Sequence, residues 1–146
     1  MNFGAFSVVV TAILLGGCIE DQGPAVSITD VRIFAPMPGS RAGVAYFRIE
    51  NRGDTAIELD RVDSPQYEDV QMHETTLEDG VSRMRPLASV VINPSSSVDF
   101  SPGGKHVMLM RPATNVTPGS LIELEFHYGG GLLIVNATMQ NRLPND

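Results

Sequence analysis

The chain reads as an all-β sandwich, and three observations say so. Short alternations of apolar and polar residues recur along most of its 146 residues. Clusters of Gly, Pro, Asn and Asp separate them at spacings suited to a sandwich or barrel. Beyond the first segment, no helical period is sustained over about three turns. The length is one domain's worth at roughly 100–200 residues per domain, and 42% hydrophobic with 18% charged residues is ordinary globular composition.

The first element precedes the sandwich. Ala5 to Leu15 is a weakly polar to apolar run of 11 residues. That is too short to cross a bilayer, which takes about 20, but it suits the core of a secretory signal. Leu15-Gly16-Gly17-Cys18 follows at once and resembles the bacterial lipoprotein cleavage box, in which the cysteine is lipidated and becomes the first residue of the mature chain. The basic start typical of such signals is missing, since Met1-Asn2-Phe3-Gly4 holds no Lys or Arg. The expected organisation is a lipoprotein signal over 1–17, lipidated Cys18 with a short tether over 18–25, a sandwich domain over 26–139 and a polar tail over 140–146. An exported protein, anchored by lipid in the bacterial periplasm or cell envelope, is implied.

The expected strands then follow in order. Val26–Phe34 comes first, ended by Pro36-Met37-Pro38-Gly39, and Val44–Glu50 second, ended by Asn51-Arg52-Gly53-Asp54. Ala56–Asp63 and Glu68–Glu74 come next, and Glu78-Asp79-Gly80 turns the chain into Val81–Arg85. Val90–Ile92, Val98–Phe100 and His106–Met110 are separated by Asn93-Pro94-Ser95 and Ser101-Pro102-Gly103-Gly104. Leu121–Phe126 and Leu132–Ala137 close the set, with Gly129-Gly130-Gly131 as the hairpin turn between them. Within the second strand, Val44, Tyr46, Arg48 and Glu50 alternate with Ala45, Phe47 and Ile49, so one face is expected in the core and one in water.

Composition excludes several functions. Ten Lys and Arg against 17 Asp and Glu leave a formal charge of -7, which opposes nucleic-acid binding and suits a cation or a basic partner. A single Cys rules out an internal disulfide and any site built from several thiolates. No G-x-S-x-G elbow surrounds a nucleophile, and no glycine loop precedes a helix to cradle phosphate. An acid–base pairing of His73 with Glu74 is poor, because adjacent strand residues point to opposite faces.

What remains unusual is the set of three His and seven Met. Four of them read H-x10-M-x21-H-x-M: His73, Met84, His106 and Met108. In a strand, residues i and i+2 share a face, so His106 and Met108 stand side by side while Val107 and Leu109 enter the core. His106, Met108 and Met110 are expected in a row on a wet surface. Val70 and Met72 fill core positions, which turns His73 outward. Met84 lies in Ser82-Arg83-Met84-Arg85, where an apolar thioether has little purpose unless its sulfur is used. Thioether is a soft ligand and imidazole a borderline one, so two of each favour Cu(I) over zinc and offer nothing to magnesium or calcium. Thioethers also survive an oxidising compartment that threatens cysteine sites. One Cu(I) per chain is expected. A blue-copper carrier is excluded, because it needs a thiolate and the only Cys sits in the export box. Among the neighbours, Met110 reads as partly buried filler, His127 as a surface histidine, and Met37 as a loop residue able to shield the site.

These four positions carry a resemblance. The chain resembles the periplasmic PCuAC-type copper chaperones, whose signature is this same spacing. The likeness extends to "ITDVRIFAPMPGSRAGVAYFRIEN" and "MRPLASVVINPSSSVDFSPGGKHVMLM". The resemblance implies a cupredoxin-like Greek-key β-sandwich that binds Cu(I) through His73, Met84, His106 and Met108 without catalysing a reaction. It also implies that copper passes to an acceptor protein, either the cytochrome c oxidase subunit with the binuclear copper centre or its assembly factor; the chain itself is expected to be a monomer. Two departures stand out: many members are not lipid-anchored, and no His/Met-rich C-terminal extension is present. The contrasting reading is a metal-free, surface-tethered β-sandwich that recognises protein or glycan through its loops.

Overall fold

The computed structural model describes residues 25–141. The export segment and Cys18 lie outside these residues, as do 142–146 of the expected tail. Ten strands account for the fold: β1 (Val26–Phe34), β2 (Gly43–Asn51), β3 (Ile57–Asp63), β4 (Tyr67–Glu78), β5 (Val81–Pro86), β6 (Val90–Ile92), β7 (Ser96–Phe100), β8 (Lys105–Pro112), β9 (Leu121–Tyr128) and β10 (Gly131–Gln140). Every strand expected from alternation is present. The differences lie at the ends, chiefly in β4, which runs four residues past Glu74, and in β10, which takes in Gln140 from the expected tail.

The strands form one ladder in the order β5-β4-β8-β7-β2-β1-β10-β9-β3-β6, with β8 also pairing β2. Within it β1 meets β10 in parallel at two positions only, Ile33–Met139 and Phe34–Gln140. Its two halves then face each other and bury their inner rows. Ile33, Ala45, Phe47, Ile49, Met72, Phe100, Val107 and Leu109 come from one half, and Leu59, Val62, Ile92, Ile122, Leu124 and Phe126 from the other. Phe47 stacks on Phe100 with ring centroids 4.2 Å apart and meets Phe126 edge-on at 4.8 Å. Aromatic pairs of this kind add about 0.5–1.5 kcal/mol beyond their buried area. This is the all-β, cupredoxin-like sandwich expected.

One expectation about faces is corrected. Val44 and Tyr46 point away from this core yet are buried, and with Phe34 they form a second apolar cluster. Alternation told which face they occupy; it did not tell that this face is covered.

Two hairpin turns set strand register. Asp79 and Gly80, at φ 53° and 78°, close the β4–β5 hairpin in two residues. Positive φ at both positions is the type I′ arrangement whose twist suits strand pairing. It fixes Glu78 opposite Val81 and hence Met84 opposite Thr75. A slip of one residue would send Met84 to the other face. At the β9–β10 hairpin the triple glycine does form the turn, with Gly131 opposite Tyr128 and Gly130 at φ 90°. Among the described residues, no helix is long and apolar enough to cross a membrane.

Candidate metal centre

The register of three adjacent strands brings the four candidate residues to one patch. On β4 and β8, His73 pairs directly with His106, and Gln71 pairs with Met108 one rung away. On β4 and β5, Thr75 pairs with Met84 one rung the other way. Residues 71, 73 and 75 share a face by strand parity, and their partners share it with them. Met84, His106 and Met108 line a cleft of about 290 Å³ together with Val44 and Tyr46 and with Met37 from the β1–β2 loop. His73 is not part of that lining; it stands beside His106 on the neighbouring strand, with ring centroids 6.0 Å apart at 39°.

That separation can be tested against a shared ion. With a metal–nitrogen bond of about 2.1 Å, the zinc–imidazole length, two ring centroids on one ion lie roughly 6.5 Å apart when opposed and roughly 5.3 Å apart at the tetrahedral angle. The observed 6.0 Å falls between the two, so the rings meet a near-tetrahedral ion by closing less than about 1 Å.

Each imidazole has one nitrogen occupied and one free. Gln71 donates its amide nitrogen to Asp69 Oδ1 at 3.0 Å, so its carbonyl oxygen faces His73 Nε2, also at 3.0 Å. Nε2 must then carry the proton, leaving His73 Nδ1 with a lone pair. That atom is buried with no hydrogen-bond partner, which in an ordinary interior would be costly. His106 Nδ1 lies 3.0 Å from the carbonyl oxygen of Gly104, an acceptor only, so Nδ1 bears the proton and Nε2 the lone pair. The same carbonyl accepts the amide of Thr75 at 3.0 Å and thereby ties the histidine to β4. Metal-binding histidines are commonly held in this way, the second nitrogen donating to an amide, carboxylate or carbonyl.

Electrostatics point the same way. Burial depresses the His73 pKa, the neighbouring His106 depresses it further, and Asp69 partly offsets both. The ring is thus kept neutral, the form a metal needs.

The exposures differ from the wet row expected on β8. His106 is only 7% exposed, because the cleft and the second cluster enclose it. Met108 and Met110 are half-buried, and Met84 is 54% exposed. Met110 lies opposite Asp69 and does not line the cleft. Met72 occupies the core, as strand parity requires. Gln71 and Gly104 were not singled out from the sequence. A usable signal was there, since each sits two residues before the histidine it holds.

His127 is not the plain surface histidine expected. It is half-buried in a group with Asp63 and Glu125, 3.1 and 3.5 Å from its Nε2. Arg61 already serves this group as its cation, bonding Asp63 at 2.7 Å and approaching His127 Nδ1 at 3.2 Å. A larger cleft of about 580 Å³ lies along β1, β2 and β7, with the Arg48–Asp99 pair in its wall and neither His nor Met.

Known proteins share both sequence and fold with this chain. The family model described as "Putative lipoprotein LpqE-like" matches residues 26–136. "Uncharacterized protein RP573" of Rickettsia prowazekii is 27% identical over 101 residues, 68% of this chain, and the chain spans 56% of that relative's length. Among solved structures, a copper-bound PCuAC domain from PmoF2 superposes with a TM-score of 0.66 at 22% identity, covering 82% of this chain and 95% of that one. CuI-DR1885 from Deinococcus radiodurans gives 0.63 at 21% identity, over 87% and 85% of the two chains. The chain therefore belongs to the LpqE-like family, and its fold is that of the PCuAC domain.

Proposed function

We propose that this protein is an exported Cu(I) carrier that holds one ion with His73, Met84, His106 and Met108 and passes it to a partner. The observation that carries the reading is the buried, unpartnered Nδ1 of His73 beside a histidine of fixed tautomer and a cleft walled by thioethers. Two imidazoles and two thioethers are a soft, neutral set that suits a monovalent copper ion. They leave its charge uncompensated, which favours release to an acceptor with thiolates over permanent storage. Copper in the similarly folded PmoF2 domain and in DR1885 supports the reading.

In this reading Cys18 is lipidated, and the sandwich works tethered to an envelope membrane. The acceptor is a copper protein of the envelope, with the binuclear centre of cytochrome c oxidase or its assembly factor as the destination that the family resemblance implies. The role is binding and transfer without catalysis.

The test is competition for Cu(I) against a chromophoric chelator. Wild type should take up one equivalent, and His73→Ala, Met84→Ala, His106→Ala and Met108→Ala should each bind more weakly with the β-sheet spectrum unchanged. Absence of uptake by wild type, or variants that all match it, would remove the reading.

A further inference from the structure

A third thioether faces the same cleft. Met37 lines it together with Met84, His106 and Met108, yet it comes from the β1–β2 loop and lies outside the H-x10-M-x21-H-x-M spacing. At 48% exposure it is half in water, close to the 54% of Met84. It belongs to neither apolar cluster, so burial does not explain an apolar residue there.

Its placement is built. Pro36 and Pro38 flank it and restrict the backbone on both sides. The amide of Ser40 donates to the Met37 carbonyl at 2.8 Å, and Gly39 takes φ 85°. Proline at the second position and a positive-φ glycine at the third define a type II turn starting at Met37. Ser40 Oγ then accepts the amide of Ala42 at 3.2 Å, leading the chain into β2. The backbone is rigid while the side chain keeps its three rotatable bonds, an arrangement suited to reaching for something that comes and goes.

Four ligands already complete a Cu(I) shell, so a fifth resident ligand is not needed. Resting on the carrier reading, we propose that Met37 is a rim ligand for copper in transit. Its Sδ donates a lone pair to the arriving Cu(I) as one bond from copper to the donor breaks. Met84 and Met108 then bind as the remaining bonds from copper to the donor break, and the sulfur of Met37 leaves as the histidine nitrogens take the ion. Release runs through the same steps in reverse. Copper stays +1 throughout, no electron is exchanged, and no proton moves, because the receiving nitrogens already carry lone pairs.

The experiment is stopped-flow transfer of Cu(I) between the protein and bicinchoninate in both directions, comparing wild type with Met37→Leu. Leucine keeps the volume and apolar character and loses only the sulfur. Loading and unloading should both slow by about tenfold, while the equilibrium affinity stays within about twofold, as expected when a barrier is raised and its end states are untouched. Unchanged rates would make Met37 a spectator and overturn the proposal. Faster unloading would make it a lid and overturn it too. A loss of affinity at unchanged loading rate would make it a resident ligand, again against the proposal. Failure of wild type to take up Cu(I) at all would strike the carrier reading itself, an outcome distinct from these three.

Discussion

His73 and His106 face each other across β4 and β8 as directly paired residues, their rings 6.0 Å apart. Each is pinned by an acceptor two positions earlier in the chain, Gln71 for His73 and the Gly104 carbonyl for His106. The pinning uses opposite ring nitrogens, so one histidine offers Nδ1 and the other Nε2. Two imidazoles that are each half-satisfied, one with its free nitrogen buried, are poised for an electrophile.

Gln71 is expected to act as a positioning residue. Gln71→Leu removes the acceptor for His73 Nε2–H and frees the ring to rotate or change tautomer. Loss of such an outer partner typically weakens metal affinity about 10–100-fold. Chelator competition should show a drop in that range, with the melting temperature little changed because Gln71 is exposed.

The depressed pKa of His73 sets a pH dependence with a definite sign. In the folded protein its protonation begins below the reference value of about 6.5, so protons compete with Cu(I) at this ligand only at lower pH. The affinity advantage of wild type over His73→Gln should hold as pH falls through 6.5 and shrink only at the lower pH where the folded-state His73 takes up its proton. Stability of the metal-free protein follows the same group. The unfolded chain protonates His73 near 6.5 and the folded chain lower, so between these values the unfolded state binds more protons. The contribution is whole above 6.5, declines as pH drops through that window, and is absent from the pH–melting curve of His73→Gln.

Methionines of the core and of the cleft should separate cleanly. Met72 is 4% exposed between the sheets, and Met72→Ala is expected to cost about 2–5 kcal/mol in denaturant unfolding. Met84→Leu, at an exposed strand position, should change stability by no more than about 0.5 kcal/mol. It should nevertheless weaken Cu(I) binding, because a sulfur is lost where no packing is.

His127 provides the control within the same molecule. Its neighbours Asp63 and Glu125 are hard oxygen ligands, and Arg61 already supplies the positive charge there. His127→Gln should leave the Cu(I) titration superimposable on wild type.

The strands were legible because each keeps one apolar row, and strict alternation with Gly, Pro and Asx breaks is a strong local signal. The four-residue spacing was legible because strand parity places His106 beside Met108 and turns His73 away from Met72. What sequence could not show was burial of the second face. Val44, Tyr46 and His106 occupy positions that alternation assigns to water, and only folding brings Phe34, the β1–β2 loop and the β4–β5 hairpin around them. For Gln71 and Gly104 the spacing of two residues before each histidine was a usable signal, but which atom accepts the ring N–H is fixed only by the β4–β8 pairing and the turn before β8. The group around His127 was missed for a related reason: Asp63 is remote in the chain and reaches it only through β3–β9 pairing.

The most direct test of a mixed nitrogen and sulfur shell is copper K-edge X-ray absorption on the Cu(I)-loaded protein. Two nitrogen and two sulfur scatterers are expected, with one sulfur lost in Met84→Leu and one nitrogen lost in His106→Gln. A shell of nitrogen and oxygen alone, or one that neither substitution alters, would contradict copper binding by His73, Met84, His106 and Met108.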